Sequence, residues 1–211
     1  MVELETLLGK KKSFPNYIDK QEVTNLENIA FSGKIHLIDT PEKAAEAFAV
    51  LGKLSFVGFD TETRPSFKRG ESFPVSLIQI SDGKECWIFQ LGKIGFDPFW
   101  VDLFQNKEIL KIGLAIQDDF KDLKSFKPFQ QKGVVDLNKI GPKLGFRCNG
   151  LRRLSAILLN KKVSKTFQVS KWDQELSDGQ ILYAATDAYV PILLWRELLE
   201  NFDLKELNHG V

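Results

Sequence analysis

Hydrophobic positions along the chain follow two rhythms. Residues 34–39, 56–62, 74–81, 85–90, 109–113 and the pair Val134-Val135 alternate or run continuously apolar. These short stretches predict strands. Between them the apolar period is helical, as in Ala44, Ala45, Phe48 and Leu51, then Phe99, Val101, Leu103 and Phe104, then Leu151, Leu154 and Leu158. Thr40-Pro41 and Asp97-Pro98 have the N-cap-then-proline order of a helix start, and Asp136 and Asn149 read as further caps. Ser177 followed by Gln180 is a capping box opening a helix that continues through Leu194, Leu198 and Leu199. Pro191 cannot donate to the carbonyl of Asp187, which predicts a kink there. Asp82-Gly83 predicts a two-residue hairpin turn.

Strands come first as hairpin partners and then alternate with helices. That order predicts an α/β fold, a mixed central β-sheet flanked by helices. Residues 1–33 lack a sustained period and read as an N-terminal arm, with Leu4, Leu7 and Leu8 spaced for one docking turn. Residues 34–205 form the predicted domain, and 206–211 a tail.

Composition adds bounds. Of 211 residues, 43% are hydrophobic and 27% charged, so the chain has material for a full core. Net charge is +1, so any polyanion must be held by locally placed cations or bridged by metal ions. Cys86 and Cys148 lack metal-ligand spacing and read as reduced, buried residues. No apolar run has membrane-spanning length, and the N-terminus lacks the order of a signal peptide. A cytoplasmic protein is expected, or a nuclear one in a eukaryote, with no obligate protein partner.

The chemistry lies in three separated segments. Asp60 and Glu62 end the apolar run that begins at Phe56. Alternation along a strand puts both carboxylates on one side, and a divalent cation is the commonest reason to hold them there. Taken alone, the pair reads first as solvated residues capping the following turn. Asp119 opens a helix directly after another strand, a place where a carboxylate also favours the helix dipole. Tyr183 and Asp187 are four residues apart and share a helix face.

Together these segments resemble the DEDD class of 3′-to-5′ exonucleases, in its tyrosine branch. Asp60-Thr61-Glu62 matches the first motif, the stretch from Ile112 through Asp119 to Leu123 the second, and Tyr183-Ala184-Ala185-Thr186-Asp187 the third. The flanks 75–81 and 170–172 match as well, whereas Gln174-Glu175-Leu176 stands where relatives often carry Arg-Pro-Leu. The resemblance is to the Werner-syndrome-type exonuclease domain and ribonuclease D.

It implies a ribonuclease H-like exonuclease fold and two divalent ions, Mg²⁺ or Mn²⁺, held by Asp60, Glu62, Asp119 and Asp187. Tyr183 would orient the attacking water. The implied substrate is DNA or RNA with a free 3′ end, released as nucleoside monophosphates. A catalytically weak binding module and an RNA-trimming enzyme are the alternatives. Arg64, Phe67, Lys68 and Arg69 follow the first motif; Lys161, Lys162, Lys165, Lys171 and Trp172 precede the third. These two loops are the candidate nucleic-acid contacts, with Phe67 or Trp172 available to stack on a base, although core is the favoured reading of Trp172.

Overall fold

The computed structural model describes residues 12–203. The predicted turn at Leu4–Leu8 and the tail 206–211 lie outside that range. Six strands form one sheet: β1 (Lys34–Ile38), β2 (Phe56–Thr63), β3 (Val75–Ser81), β4 (Glu85–Gln90), β5 (Leu110–Gly113) and β6 (Val134–Asp136). Their order is β1-β4-β3-β2-β5-β6. β2 lies antiparallel to β3 and parallel to β5, so the sheet is mixed. The helices are α1 (Lys20–Asn25), α2 (Pro41–Leu51), α3 (Leu91–Ile94), α4 (Pro98–Gln105), α5 (Ile116–Leu123), α6 (Leu137–Lys143), α7 (Leu151–Leu159) and α8 (Asp178–Asn201).

Helices cover both faces. On one, Phe59 stacks on Phe120 of α5 at 5.2 Å and meets Phe104 of α4 edge-on at 5.6 Å. Phe89 meets Trp100 edge-on at 4.7 Å in the same layer. Much of the phenylalanine content is thus spent on this core, where aromatic pairs add to burial. On the other face α8 crosses the sheet. Gly58 of β2 makes the crossing close, because a Cβ there would lie 1.9 Å from the Ala188 carbonyl oxygen. Ala184, Ala185 and Ala188 are small for the same reason and fully buried.

Two local expectations are corrected. The hairpin turn sits one residue later than predicted: Ser81 pairs with Cys86 and the Asp82 amide donates to the Glu85 carbonyl, leaving Gly83-Lys84 at the tip. Gly83, at φ 92°, takes the left-handed position, and the Asp82 carboxylate accepts from the Lys84 and Glu85 amides. The N-cap of α7 is Gly150, not Asn149. α8 runs as one 24-residue helix through Pro191, the position of the expected kink. Ala188, Val190 and Leu194 are buried on both sides of the proline, and that packing holds the helix across the missing bond.

The described part of the arm is integrated with the body. Asp19 and Glu22 form a capping box that starts α1. Val23 and Phe31 are buried, Phe14 stacks on Phe202 at 5.8 Å, and the Phe31 amide donates to the Thr186 hydroxyl at 3.0 Å. Cys86 and Cys148 are both buried and free.

Candidate active site

β2 and β5 run parallel, side by side, and the site forms where β2 extends beyond β5. The strand's parity places Gly58, Asp60 and Glu62 on the α8 side, and Phe59 and Thr61 on the α5 side. Because α8 rides on Gly58 at Ala188, the preceding residue, Asp187, is carried to the strand end. Carboxylate oxygens of Asp60, Glu62 and Asp187 lie within 4.8 Å of one another.

Asp119 reaches the site from the opposite layer. After β5 the chain turns at Ala115, whose φ of 55° is left-handed and whose amide is held by the Asp136 carboxylate at 3.0 Å. α5 then starts, docked by Phe120, and presents Asp119 to the Thr61 hydroxyl, which donates to it. Asp119 stands outside the 4.8 Å group, and its neighbour Asp118 is exposed.

Four carboxylates in so small a volume oppose their own ionisation. Burial first, then the charges of Asp119, Asp187 and Glu62, push Asp60 well above the usual carboxylate range. Burial, with Asp187 and Asp119, raises Glu62 to about 9. Burial raises Asp119 to about 6, against the pull of the Thr61 hydroxyl. Burial raises Asp187 to about 7, against the pull of the Tyr183 phenol. Tyr183 itself is raised by burial and by the charges of Asp187 and Glu62, so it is a neutral phenol.

No Lys or Arg pairs with any of these carboxylates among the described residues. Asp187 Oδ1 is buried without a hydrogen-bond partner. A hard divalent cation fits both facts: it takes oxygen ligands and supplies the missing positive charge.

Tyr183 is fixed by aromatic neighbours, Trp172 at 5.9 Å and Phe167 at 6.3 Å. Gly179 makes room for Phe167, whose ring would lie 2.6 Å from a Cβ there. Asp60, Tyr183 and Asp187 open onto a cleft of 790 Å³ that continues past Asn138, Arg152, Arg153 and Lys165 to Lys20 and Thr24 of α1.

The predicted nucleic-acid contacts separate into groups. Lys165 lines the cleft. Phe67, 83% exposed, and the exposed Lys68 and Arg69 sit on the loop after β2, outside the cleft lining; exposed Lys171, on the loop before α8, is outside the lining too. Arg64 is engaged by Asp173 at 2.9 Å and lies over the Phe73 ring. Trp172, named with the candidate contacts but favoured as core, is a core residue: at 1% exposure it has no face to offer a base. Lys161 and Lys162 bind Glu27 and the Thr24 carbonyl of the arm.

Sequence reasoning missed Arg152 and Arg153, which sit on a helix read only for its apolar face. It also passed over Gln79. That residue stands opposite Asp60 in the β2–β3 register, and its buried amide has no hydrogen-bond partner among the described residues.

The family model described as 3′-5′ exonuclease matches residues 35–203. The chain belongs to the 3′-5′ exonuclease family. It is 30% identical over 175 residues to a putative 3′-5′ exonuclease of Acanthamoeba polyphaga mimivirus, a match covering 74% of this chain and 43% of that protein. It is 31% identical over 152 residues to the bifunctional 3′-5′ exonuclease/ATP-dependent helicase WRN of Mus musculus, covering 67% of this chain and 11% of that protein. The chain thus spans less than half the length of either relative.

Among solved structures, the Nibbler EXO domain of Aedes aegypti superposes with a TM-score of 0.75 at 22% identity, covering 85% of this chain and 94% of that one. RNase D of Trypanosoma brucei in complex with RNA U12 gives 0.73 at 21%, covering 88% and 66%. The fold is therefore the ribonuclease H-like exonuclease fold. The three motif segments of this exonuclease chain all fall inside the matched residues. Among the described residues no helix is long and apolar enough to cross a membrane.

Proposed function

We propose that this exonuclease-family chain hydrolyses phosphodiester bonds from the 3′ end of a DNA or RNA strand, using two divalent ions, Mg²⁺ or Mn²⁺. The observation that carries the reading is the cluster of Asp60, Glu62 and Asp187, with Asp119 beside it, at the end of an open cleft and without a counter-charge. Asp60, the most crowded of the four, would be shared between the ions. Glu62 and Asp187 would hold the ion nearer Tyr183, and Asp119 the other. Bound cations supply phosphate charge neutralisation and a lowered pKa for the attacking water.

The chain's own groups do the positioning. The Tyr183 hydroxyl, kept neutral by burial and by Asp187, hydrogen-bonds the water and orients it; a neutral phenol is a poor base near pH 7. Thr61 holds Asp119 at a fixed place and favours its ionised form. Phe167 and Trp172 hold the Tyr183 ring. Lys165 in the cleft would meet the strand, together with the exposed Phe67, Lys68 and Arg69 on the loop after β2 and Lys171 on the loop before α8.

The test is a set of matched DNA and RNA oligonucleotides, 5′-labelled, single-stranded or recessed, with a free 3′-hydroxyl. Shortening from the 3′ end with Mg²⁺ or Mn²⁺, absent in EDTA and absent in Asp60→Ala, supports the reading. Full activity in Asp60→Ala would place the hydrolysis at another site. Faster RNA shortening would indicate a contact to the 2′-hydroxyl.

A further inference from the structure

The 790 Å³ cleft is electrically polar along its length. The acidic groups lining it are Asp60 and Asp187, at one end. The rest of its wall carries Lys20 from α1, Arg152 and Arg153 from the first turn of α7, and Lys165 from the following loop. Among the described residues none of these four cations forms a salt bridge. Arg152 Nε is buried without a hydrogen-bond partner, and Arg153 lies over the Tyr17 ring of the arm at 5.9 Å. Their neighbours Lys161 and Lys162 are instead consumed in binding the arm. Like charges left unpaired on one wall repel one another, and an anion with several charges relieves that repulsion.

The arm that completes this wall is built in. Ile29 and Lys162 exchange backbone contacts around the Asn28–Lys162 bridge: the Ile29 amide donates to the Lys162 carbonyl at 2.9 Å, and the Lys162 amide to the Glu27 carbonyl at 2.9 Å. The Arg147 amide donates to the Asn16 carbonyl at 2.7 Å. Val23, whose side chain is 2% exposed, seats α1 against the cleft. This arm precedes the part of the chain matched by the family model, which begins at residue 35.

We infer that the arm helix α1 and the start of α7 form a strand-binding wall, in which Lys20, Arg152 and Arg153 hold the phosphates lying 5′ of the terminal nucleotide. The ligand class is a single-stranded polynucleotide backbone, read by charge and not by base. The inference deepens the exonuclease reading and rests on it for the direction of the strand: the 3′ end sits at the carboxylates, so the remaining phosphates run along the basic wall. The arm is then part of the substrate site and not a separate appendage.

The experiment is equilibrium binding, measured in EDTA so that it does not depend on hydrolysis. A 5′-labelled single-stranded oligonucleotide is titrated with the full chain by fluorescence anisotropy across a series of salt concentrations. Lys20→Glu and Arg153→Gln are compared with Lys107→Glu, a reversal at an exposed residue that does not line the cleft. Each lost phosphate contact should flatten the log–log salt slope by about 0.7, and the Lys20→Glu, Arg153→Gln double variant should weaken binding about tenfold at low salt. Thermal melts of the same variants establish that they are folded. Unchanged affinity and slope in the folded double variant, or equal weakening by Lys107→Glu, would overturn the wall. Arm-dependent binding in a protein that cuts no oligonucleotide would keep the wall and overturn the nuclease reading.

Discussion

Replacing Asp187 with asparagine will stabilise the metal-free protein above neutral pH and remove its response to metal. Asp187 is 8% exposed, and burial raises its pKa from 3.8 to about 7. The same aspartate in the unfolded chain ionises without that penalty, so at about pH 8 the folded state loses on the order of 4 kcal/mol through this group. The sign follows from proton binding. A raised carboxyl pKa means that the folded state binds the proton more tightly, so stability falls as pH climbs from 3.8 to about 7. Asparagine keeps the shape and carries no charge, but a buried amide with unmet hydrogen bonds itself costs about 1–3 kcal/mol. The net gain is therefore about 1–3 kcal/mol, or roughly 2–10 °C in melting temperature for a chain of this size.

The assay is a pair of thermal melts in EDTA, at about pH 8 and about pH 5, followed by titration with Mg²⁺ or Mn²⁺. Wild type should gain about 2.7 kcal/mol at a hundredfold excess of metal over its dissociation constant. Asp187→Asn should gain little. A lower melting temperature for the variant in EDTA at the higher pH, or a gain as large at the lower pH, would refute the charge-cluster argument.

Other consequences concern the elements that assemble the site. Gly58→Ala puts a Cβ 1.9 Å from the Ala188 carbonyl oxygen, so α8 must move off β2; a loss of more than about 4 kcal/mol in denaturant unfolding is expected. A variant of wild-type stability would mean that the helix does not ride on the strand. Thr61→Val removes the hydroxyl that lowers the Asp119 pKa, so Asp119 should stay protonated to higher pH and metal affinity should fall about 10–100-fold, measurable by calorimetry. Equal affinity would separate Asp119 from the metal site. Tyr183→Phe should lower kcat by about 10²-fold with little change in KM, if the phenol orients the water.

The carboxylate cluster was legible because each carboxylate follows a rule of local geometry. Strand parity puts Asp60 and Glu62 together, and helix spacing puts Tyr183 and Asp187 on one face. The adjacent pair Asp118 and Asp119 is ambiguous by spacing alone. Packing separates them, with Phe120 docking α5 so that Asp119 turns to Thr61 and Asp118 to solvent. The strands and long helices were legible for the same reason.

What depends on contacts between distant segments was not legible. The arm has no period of its own, and Phe14, Val23 and Phe31 find their partners far along the chain. Lys161 and Lys162 look like Lys165 in sequence, and only the docked arm distinguishes them.

The cations are tested at the bond being cut by sulfur substitution. An oligonucleotide carrying a phosphorothioate at its 3′-terminal linkage, one diastereomer at a time, is compared with the all-oxygen strand in single turnovers with Mg²⁺ and then Mn²⁺. Sulfur is a poor ligand for Mg²⁺ and a better one for Mn²⁺. If the carboxylates hold ions that contact the scissile phosphate, one diastereomer will be cut slowly with Mg²⁺ and recover with Mn²⁺. Cleavage of both diastereomers at the oxygen rate with Mg²⁺ would contradict direct metal contact with the phosphate.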